Sequence, residues 1–143
     1  MTQRILVATD GTELSQRAAA LAIDLAGSLR AAVVGCAALP GYPYHGVGAE
    51  GAPAELTFRA QAAADANRHL DDMERVAAQA GVPFTRVVRE GHPDDIILQT
   101  AEAEGCDLIV MASHGRRGFA ALLLGSETQK VLARGTRPVL VVR

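Results

Sequence analysis

Short apolar segments alternate with helical patterns along the chain, and this alternation restricts the fold more than any other feature. The predicted strands are short apolar runs at residues 4–9, 31–38, 84–88, 107–112 and 138–142. The predicted helices cover residues 12–30, 54–79, 93–104 and 126–134. Strands that alternate with helices are joined by right-handed crossovers in a parallel sheet that is covered on both faces. We therefore predict a single domain over residues 1–143 with an α/β fold, in which a doubly wound five-stranded parallel sheet of strand order 3-2-1-4-5 has helices on both faces.

The spacing of apolar residues also predicts which side of two helices is buried. In helix 12–30 the expected buried residues are Leu14, Ala18, Leu21, Ala22, Leu25, Ala26 and Leu29. In helix 54–79 they are Leu56, Ala60, Ala63, Ala64, Leu70, Met73 and Val76. Residues 40–53 are dense in Gly and Pro and follow neither period, so we expect a loop that covers a pocket or contributes to an interface.

Composition and charge narrow the possible partners. Aromatic residues make up 3% of the chain, which disfavours an aromatic surface on which nucleic-acid bases stack. The net charge is −2, which disfavours binding to nucleic acid and to anionic membranes. No segment has the roughly 20 apolar residues that span a membrane, and the first residues lack a signal-peptide layout. Cys36 and Cys106 lie far apart in apolar surroundings, which is typical of buried thiols in a reducing compartment. We therefore expect a cytoplasmic protein without nucleic-acid or membrane partners.

Two of the predicted strand ends have residues that suit a nucleotide. In an open parallel sheet, ligands bind outside the carboxyl ends of the strands where the strand order reverses, here between strands one and four. Strand one leads to Asp10, whose carboxylate can accept a hydrogen bond from a ribose hydroxyl. Strand four leads through a glycine-bearing loop to Gly125, where helix 126–134 begins, and a helix N-terminus offers amides and a favourable dipole to phosphate. Together these two ends predict a nucleotide site.

Better-known phosphate and catalytic signatures are absent from the sequence. There is no G-x-x-x-x-G-K-[ST], and strand one is followed by DGT rather than G-x-G-x-x-G, which disfavours a Walker-type NTPase and a dinucleotide-binding Rossmann domain. Ser113, His114 and Asp10 resemble a hydrolase triad in type, but the G-x-S-x-G elbow is missing and the chain order does not fit that fold. The other histidines have no metal-ligand spacing; they are His45, His69 and His92. We predict no catalytic residue and no metal site.

The loop after strand four has a defined spacing. Ala112, Gly115, Gly125 and Ser126 fall at the four positions of the pattern G-x2-G-x9-G-[ST], with nine residues between Gly115 and Gly125. Together with the opening ILVATDGTELSQRA, the central EGHPDDIILQTAEAEGCDLIVMASHGRRG and the closing TRPVLVV, this pattern resembles the nucleotide-binding subtype of the universal stress protein family. The resemblance covers essentially the whole chain.

The resemblance implies roles for individual residues. Asp10 is expected to contact the ribose or the adenine edge, and Ala37 at the end of strand two to line the adenine pocket. Gly115, Gly125 and Glu127 are expected to hold phosphates, together with Ser126, largely through backbone amides. The complete expected nucleotide-binding set is Ala8, Thr9, Asp10, Ala37, Met111, Ala112, His114, Gly115, Arg117, Gly118, Gly125, Ser126, Glu127 and Thr128.

Several of these residues have a second interpretation. Ala112 stands at the first glycine of the pattern and would be harmless if its backbone is extended, but strained if φ is positive; Ala8, where family members often have Pro, is a mild departure. Ser126 could be a helix N-cap in a capping box with Gln129. Asp10 could serve only to stabilise the following turn. The loop arginines Arg116 and Arg117 could contact phosphate or face water.

The resemblance implies an ATP-binding stress-response protein that holds ATP or another adenine nucleotide, with or without Mg²⁺, at the ends of strands one, two and four. Hydrolysis should be at most slow, because the sequence has no Walker lysine and no evident catalytic carboxylate. The resemblance also implies a homodimer that would cover the apolar edge formed by Pro138, Val139, Leu140, Val141 and Val142. Two alternatives stay open: a nucleotide-free interaction module of the same fold and a weak ATPase.

Overall fold

The strands of the computed structural model are β1 (Arg4–Ala8), β2 (Ala32–Leu39), β3 (Phe84–Glu90), β4 (Leu108–Ala112) and β5 (Val139–Val142). The helices are α1 (Glu13–Leu29), α2 (Ala52–Gln79), α3 (Pro93–Ala103) and α4 (Ser126–Arg134). The structure describes residues 1–44, 51–115 and 124–143, so part of the predicted loop 40–53 lies outside the described residues. The strands form a parallel sheet of order β3-β2-β1-β4-β5, which confirms the predicted fold class and strand order.

The central strand β1 explains why the apolar runs are continuous. It pairs in parallel with β2 on one side and with β4 on the other. Ile5, Leu6 and Val7 are all fully buried because helices cover both faces of the sheet. Ile5 and Val7 belong to the core under α1 and α2, whereas Leu6 belongs to the core under α3 and α4. Consecutive residues of β1 thus face opposite layers, and the ends of β1 and β4 emerge between those layers.

The prediction for the buried side of α1 is wrong in part. Leu21 and Leu29 are each 42% exposed. The buried residues are Ser15, Ala18, Ala19, Ala22, Ile23 and Ala26. These residues follow helical spacing too, but most are small, which lets the helix axis approach the sheet closely. The predicted Ala18, Ala22 and Ala26 are buried, but hydrophobicity alone favoured the leucines and so displaced the predicted stripe toward them.

Helix α2 begins at Ala52, two positions before the predicted start, and has Pro53 in its first turn, where a proline costs no hydrogen bond. Leu56 and Val76 of the predicted buried side are exposed. The buried residues are Leu70, Met73 and Ala77. The 28 residues of α2 span about 42 Å, whereas the eight residues of β2 span about 26 Å. A helix longer than its sheet cannot bury its whole length, so α2 packs mainly through its second half.

Three further features bear on the earlier expectations. Strand β5 is an edge strand of apolar residues, and Leu140 on it is 36% exposed.

Both cysteines are buried, as predicted, and burial raises the pKa of the Cys36 and Cys106 thiols to about 11. Both thiols therefore remain protonated at neutral pH. Within residues 1–44, 51–115 and 124–143, no helix has the length and apolar character to cross a membrane.

Candidate functional site

The turn between β1 and α1 is closed by side chains. Asp10 Oδ1 accepts hydrogen bonds from the Thr12 amide (3.0 Å) and the Thr12 hydroxyl (2.6 Å). Thr12 is the N-cap of α1, and its hydroxyl oxygen accepts from the Ser15 amide at 3.3 Å. Gly11 has φ +81°, a conformation that favours glycine. Asp10 therefore stabilises this turn, and the turn fixes the direction of its carboxylate.

The ends of β1 and β4 meet, as the predicted site requires. A Cβ placed on Gly115 would lie 2.8 Å from Asp10 Oδ2, so the loop after β4 passes directly beside the carboxylate. Gly115 has no positive φ, and its missing side chain is needed for this close approach rather than for an unusual backbone conformation. Asp10 and Gly115 thus lie together at the point where the strand order reverses.

The start of α4 differs from the predicted capping box. Gly125 is the N-cap, with φ −69° and ψ 161°, and as a glycine it contributes no side chain to the cap. Ser126 is the first helical residue, and Gln129 Nε2 donates to the Leu124 carbonyl (2.9 Å) instead of bonding to the cap. The physical reason is contact, because a Cβ on Gly125 would lie 2.9 Å from His114 Cα. A glycine is needed at the position where the capping box would place a serine, so the capping-box prediction is wrong.

Two further hydrogen bonds attach the first turn of α4 to the end of β4. The Gly125 amide donates to the Ser113 carbonyl at 2.6 Å. The buried Thr128 hydroxyl donates to the Ala112 carbonyl at 2.9 Å. The first amides of a helix have no partner within the helix, and the dipole makes this end electropositive. The first turn of α4 is therefore a rigidly held set of donors that suits an anion.

Other residues of the predicted set form the packed sheet under this turn. Ala112 belongs to β4 and lacks a positive φ, so alanine is not strained there, which confirms the extended backbone expected for it. Met111 is buried and Ala8 partly buried in the core under α3 and α4. Ala37 is buried in the core under α1 and α2, and the Thr9 hydroxyl lies 3.3 Å from the Ser15 hydroxyl. Arg117 and Gly118 lie outside the described residues, as do Arg116 and His45.

A cleft of about 530 Å³ opens beside the Asp10–Gly115 contact. It is lined by Thr12, Glu13, Leu14, Arg17, His114, Gly115 and Arg143. His114 Nδ1 lies 3.2 Å from the Ser113 hydroxyl, and Arg17 Nη2 donates to the Arg143 carbonyl at 3.3 Å. Two arginines and one glutamate make its walls favourable to an anionic group. The sequence-based prediction missed Thr12 and Arg17, although the DGT turn could have indicated Thr12 as a cap.

Glu127 is placed differently from the other residues of the α4 turn. Its Oε2 accepts from the Asp94 amide, in the first turn of α3, at 3.0 Å. The Asp94 side chain is 7% exposed and forms an ion pair with Arg134 of α4. Burial raises the pKa of Asp94, but the contact between the Asp94 and Glu127 carboxyl groups, the ion pair with Arg134 and the charge of Lys130 together outweigh burial and hold that pKa below its ordinary value. Residues 33 positions apart form this contact, and no local pattern in the sequence indicates it.

Comparisons with known proteins agree with this architecture. The profile of the universal stress protein family matches residues 1–143. A universal stress protein of Thermus aquaticus is 37% identical over 150 residues, and the match covers 100% of both chains. The structure of universal stress protein UspA from Lactobacillus plantarum has a TM-score of 0.90 at 22% identity and covers 99% of this chain and 98% of that one. A universal stress protein solved in complex with cAMP has a TM-score of 0.74 at 26% identity, covering 99% of this chain and 97% of that one.

Proposed function

Because the chain belongs to the universal stress protein family, we propose that it is a stress-response protein that binds ATP or another adenine nucleotide. The observation that supports this most is the meeting of the β1 and β4 ends at Asp10 and Gly115, next to the first turn of α4. A related structure was solved with cAMP, which supports an adenine nucleotide as the class of ligand. The nucleotide would lie across the ends of β1, β2 and β4.

The residues at this end of the sheet fit the groups of such a ligand. The Asp10 carboxylate would accept from ribose or adenine, with Ala37 at the adenine end. The amides of Ser126, Glu127 and Thr128 would take phosphate oxygens at the helix N-terminus. Among the described residues, no group of three or more His, Cys, Asp and Glu side chains could hold a metal ion. Mg²⁺ would therefore be held mainly by the phosphates and water, as is usual for this ion.

We further propose that the protein turns ATP over slowly at most and that it forms a homodimer through β5. The single lysine of the chain, Lys130, lies 3.3 Å from Glu127 Oε1 and is thus paired with a carboxylate. Positioning and charge stabilisation of a transferred phosphoryl group would be weak without a lysine directed at the phosphates. A partner strand on Val139–Val142 would cover the partly exposed apolar edge, and the particle mass in solution tests this.

One observation favours the alternative of a nucleotide-free interaction module. Gly125 is required by the backbone of His114 and Gly115 by the side chain of Asp10, so both glycines have a role without any ligand. The glycine pattern alone therefore does not distinguish the two functions.

Calorimetric titration of the purified protein with ATP tests the proposal. We expect saturable binding that is lost in Gly115→Leu, since a leucine would project onto the Asp10 carboxylate, and kept in the control Gly27→Leu on the outside of α1. No binding by the parent protein would reject the nucleotide-binding function and favour the interaction module. Turnover well above background would instead support the weak ATPase.

A further inference from the structure

The first turn of α4 is attached to α3 as well as to β4, and Glu127 makes the attachment. One oxygen of its carboxylate accepts from the Asp94 amide at 3.0 Å, and the other lies 3.3 Å from Lys130 Nζ. One oxygen is thus engaged by the first turn of α3, and the other by a lysine one turn further along α4. The Glu127 carboxylate therefore already has a hydrogen-bond partner in α3 and a cation partner in α4.

The contacts around Glu127 form a balanced set, which we call the α3–α4 charge network. It consists of Asp94, Asp95, Glu127, Lys130 and Arg134. Arg134 pairs with Asp94 and lies 2.8 Å from Asp95 Oδ1. Three carboxylates face two cations and the electropositive N-terminus of α3, so little net charge is left at this side of the α4 turn.

A phosphate at the N-terminus of α4 would need the amides of that turn in fixed directions. The Thr128 hydroxyl and the Gly125 amide hold the turn against β4, through the Ala112 and Ser113 carbonyls. Glu127 holds the opposite side of the turn against α3. A turn held on one side only could rotate about that attachment, and misdirected donors bind an anion less well.

We propose that Glu127 is a positioning residue, which acts through its attachment to α3 to direct the first-turn amides of α4 toward the phosphates of the bound nucleotide. This inference rests on the proposed nucleotide-binding function. It differs from a direct phosphate or metal contact by the Glu127 side chain, because the carboxylate is engaged by Asp94 and Lys130. The effect of losing it should therefore grow with the number of phosphates on the ligand.

Three variants distinguish a positioning role of Glu127 from a direct contact of its side chain with phosphate or metal. Glu127→Ala removes both contacts, whereas Glu127→Gln keeps an oxygen that can accept from the Asp94 amide. Glu102→Ala is the matched control, because Glu102 is also a glutamate paired with a cation, Arg137 at 2.7 Å, but lies in α3 away from the α4 turn. Affinities for ATP, ADP, AMP and adenosine are measured by calorimetry for each protein.

We expect Glu127→Ala to weaken ATP binding by roughly three- to tenfold, the size expected for one lost hydrogen bond, and to leave adenosine binding within about twofold. Glu127→Gln and Glu102→Ala should stay within about twofold for every ligand. Without ligand, hydrogen exchange of the Gly125 and Gln129 amides, which donate to the Ser113 and Gly125 carbonyls, should be faster in Glu127→Ala than in Glu127→Gln.

Three results would overturn the proposal while leaving nucleotide binding intact. These are unchanged ATP affinity in Glu127→Ala, tighter ATP binding in that variant, and an equal loss for ATP and adenosine. A parent protein that binds none of the four ligands would reject the proposed function and this inference together.

Discussion

Changing Gly125 to alanine should destabilise the fold and weaken the proposed nucleotide site, although alanine adopts the local backbone conformation without strain. The φ of −69° and ψ of 161° are ordinary for any residue. The new Cβ, however, would lie 2.9 Å from His114 Cα and 3.2 Å from His114 Cβ. Both atoms belong to His114, two residues after the end of β4, and cannot rotate away as the tip of a long side chain could. The start of α4 must therefore move outward.

The size of the effect follows from these contacts. Overpacking by one methyl group costs about 1–3 kcal/mol of unfolding free energy. The outward movement would also lengthen the bond from the Gly125 amide to the Ser113 carbonyl, now 2.6 Å, and a lost hydrogen bond adds about 1 kcal/mol. The sum is about 2–4 kcal/mol, which for a chain of 143 residues corresponds to a midpoint roughly 7–13 °C lower.

Thermal and urea unfolding of the parent, Gly125→Ala and a glycine control measure the effect. The control is Gly27→Ala, because Gly27 lies within α1 and its Cβ would be an ordinary 3.7 Å from Val82 Cγ2. We expect Gly27→Ala to stabilise the protein by about 0.5 kcal/mol, since alanine is the better helix former. An unfolding temperature of Gly125→Ala equal to or above that of the parent would refute a steric conflict at this position.

Two further predictions concern the sheet. Gly35→Ala should lower the free energy of unfolding in urea by about 1–3 kcal/mol, because its Cβ would lie 2.5 Å from the Phe84 ring. A second change, Phe84→Leu, should recover part of that loss. Additive effects of the two changes would contradict the proposed contact. Asp107→Asn should lower stability at pH 7 by up to about 1 kcal/mol, because Asp107 Oδ2 accepts from the Gln3 and Arg4 amides. These bonds hold the pKa of Asp107 below its ordinary 3.8, so its contribution is present above pH 3.8 and is lost as the pH falls through the folded pKa. The stability difference between the variant and the parent should therefore shrink on acidification, and a difference that grows would refute the assignment.

How far the sequence predicts this protein depends on whether a feature is local. Helix α4 has the bounds predicted for it, because glycines punctuate both of its ends at Gly125 and Gly135. Strand order is also predicted, since alternating strands and helices allow few topologies. The buried side of α1 was predicted only in part, because Ala19 and Ile23 are buried whereas the predicted Leu21 is exposed. Such a choice depends on the distance between the helix and the sheet, which hydrophobic periodicity does not specify.

At each of two glycines of the candidate site, a neighbouring group excludes a side chain. The glycine pattern therefore predicts the loop conformation directly and a ligand only indirectly. At Gly125 the neighbouring backbone excludes a side chain, and at Gly115 the Asp10 carboxylate does so. The same close contacts place the α4 amides and the Asp10 carboxylate at one end of the sheet. The packing that the fold requires therefore also forms a surface suited to a nucleotide. Glu127 is different, because its carboxylate accepts from the Asp94 amide of α3 and its proposed role is only to direct the α4 turn. A dependence of the Glu127→Ala effect on phosphate number would therefore report ligand binding specifically, whereas substitutions at the glycines report folding and binding together.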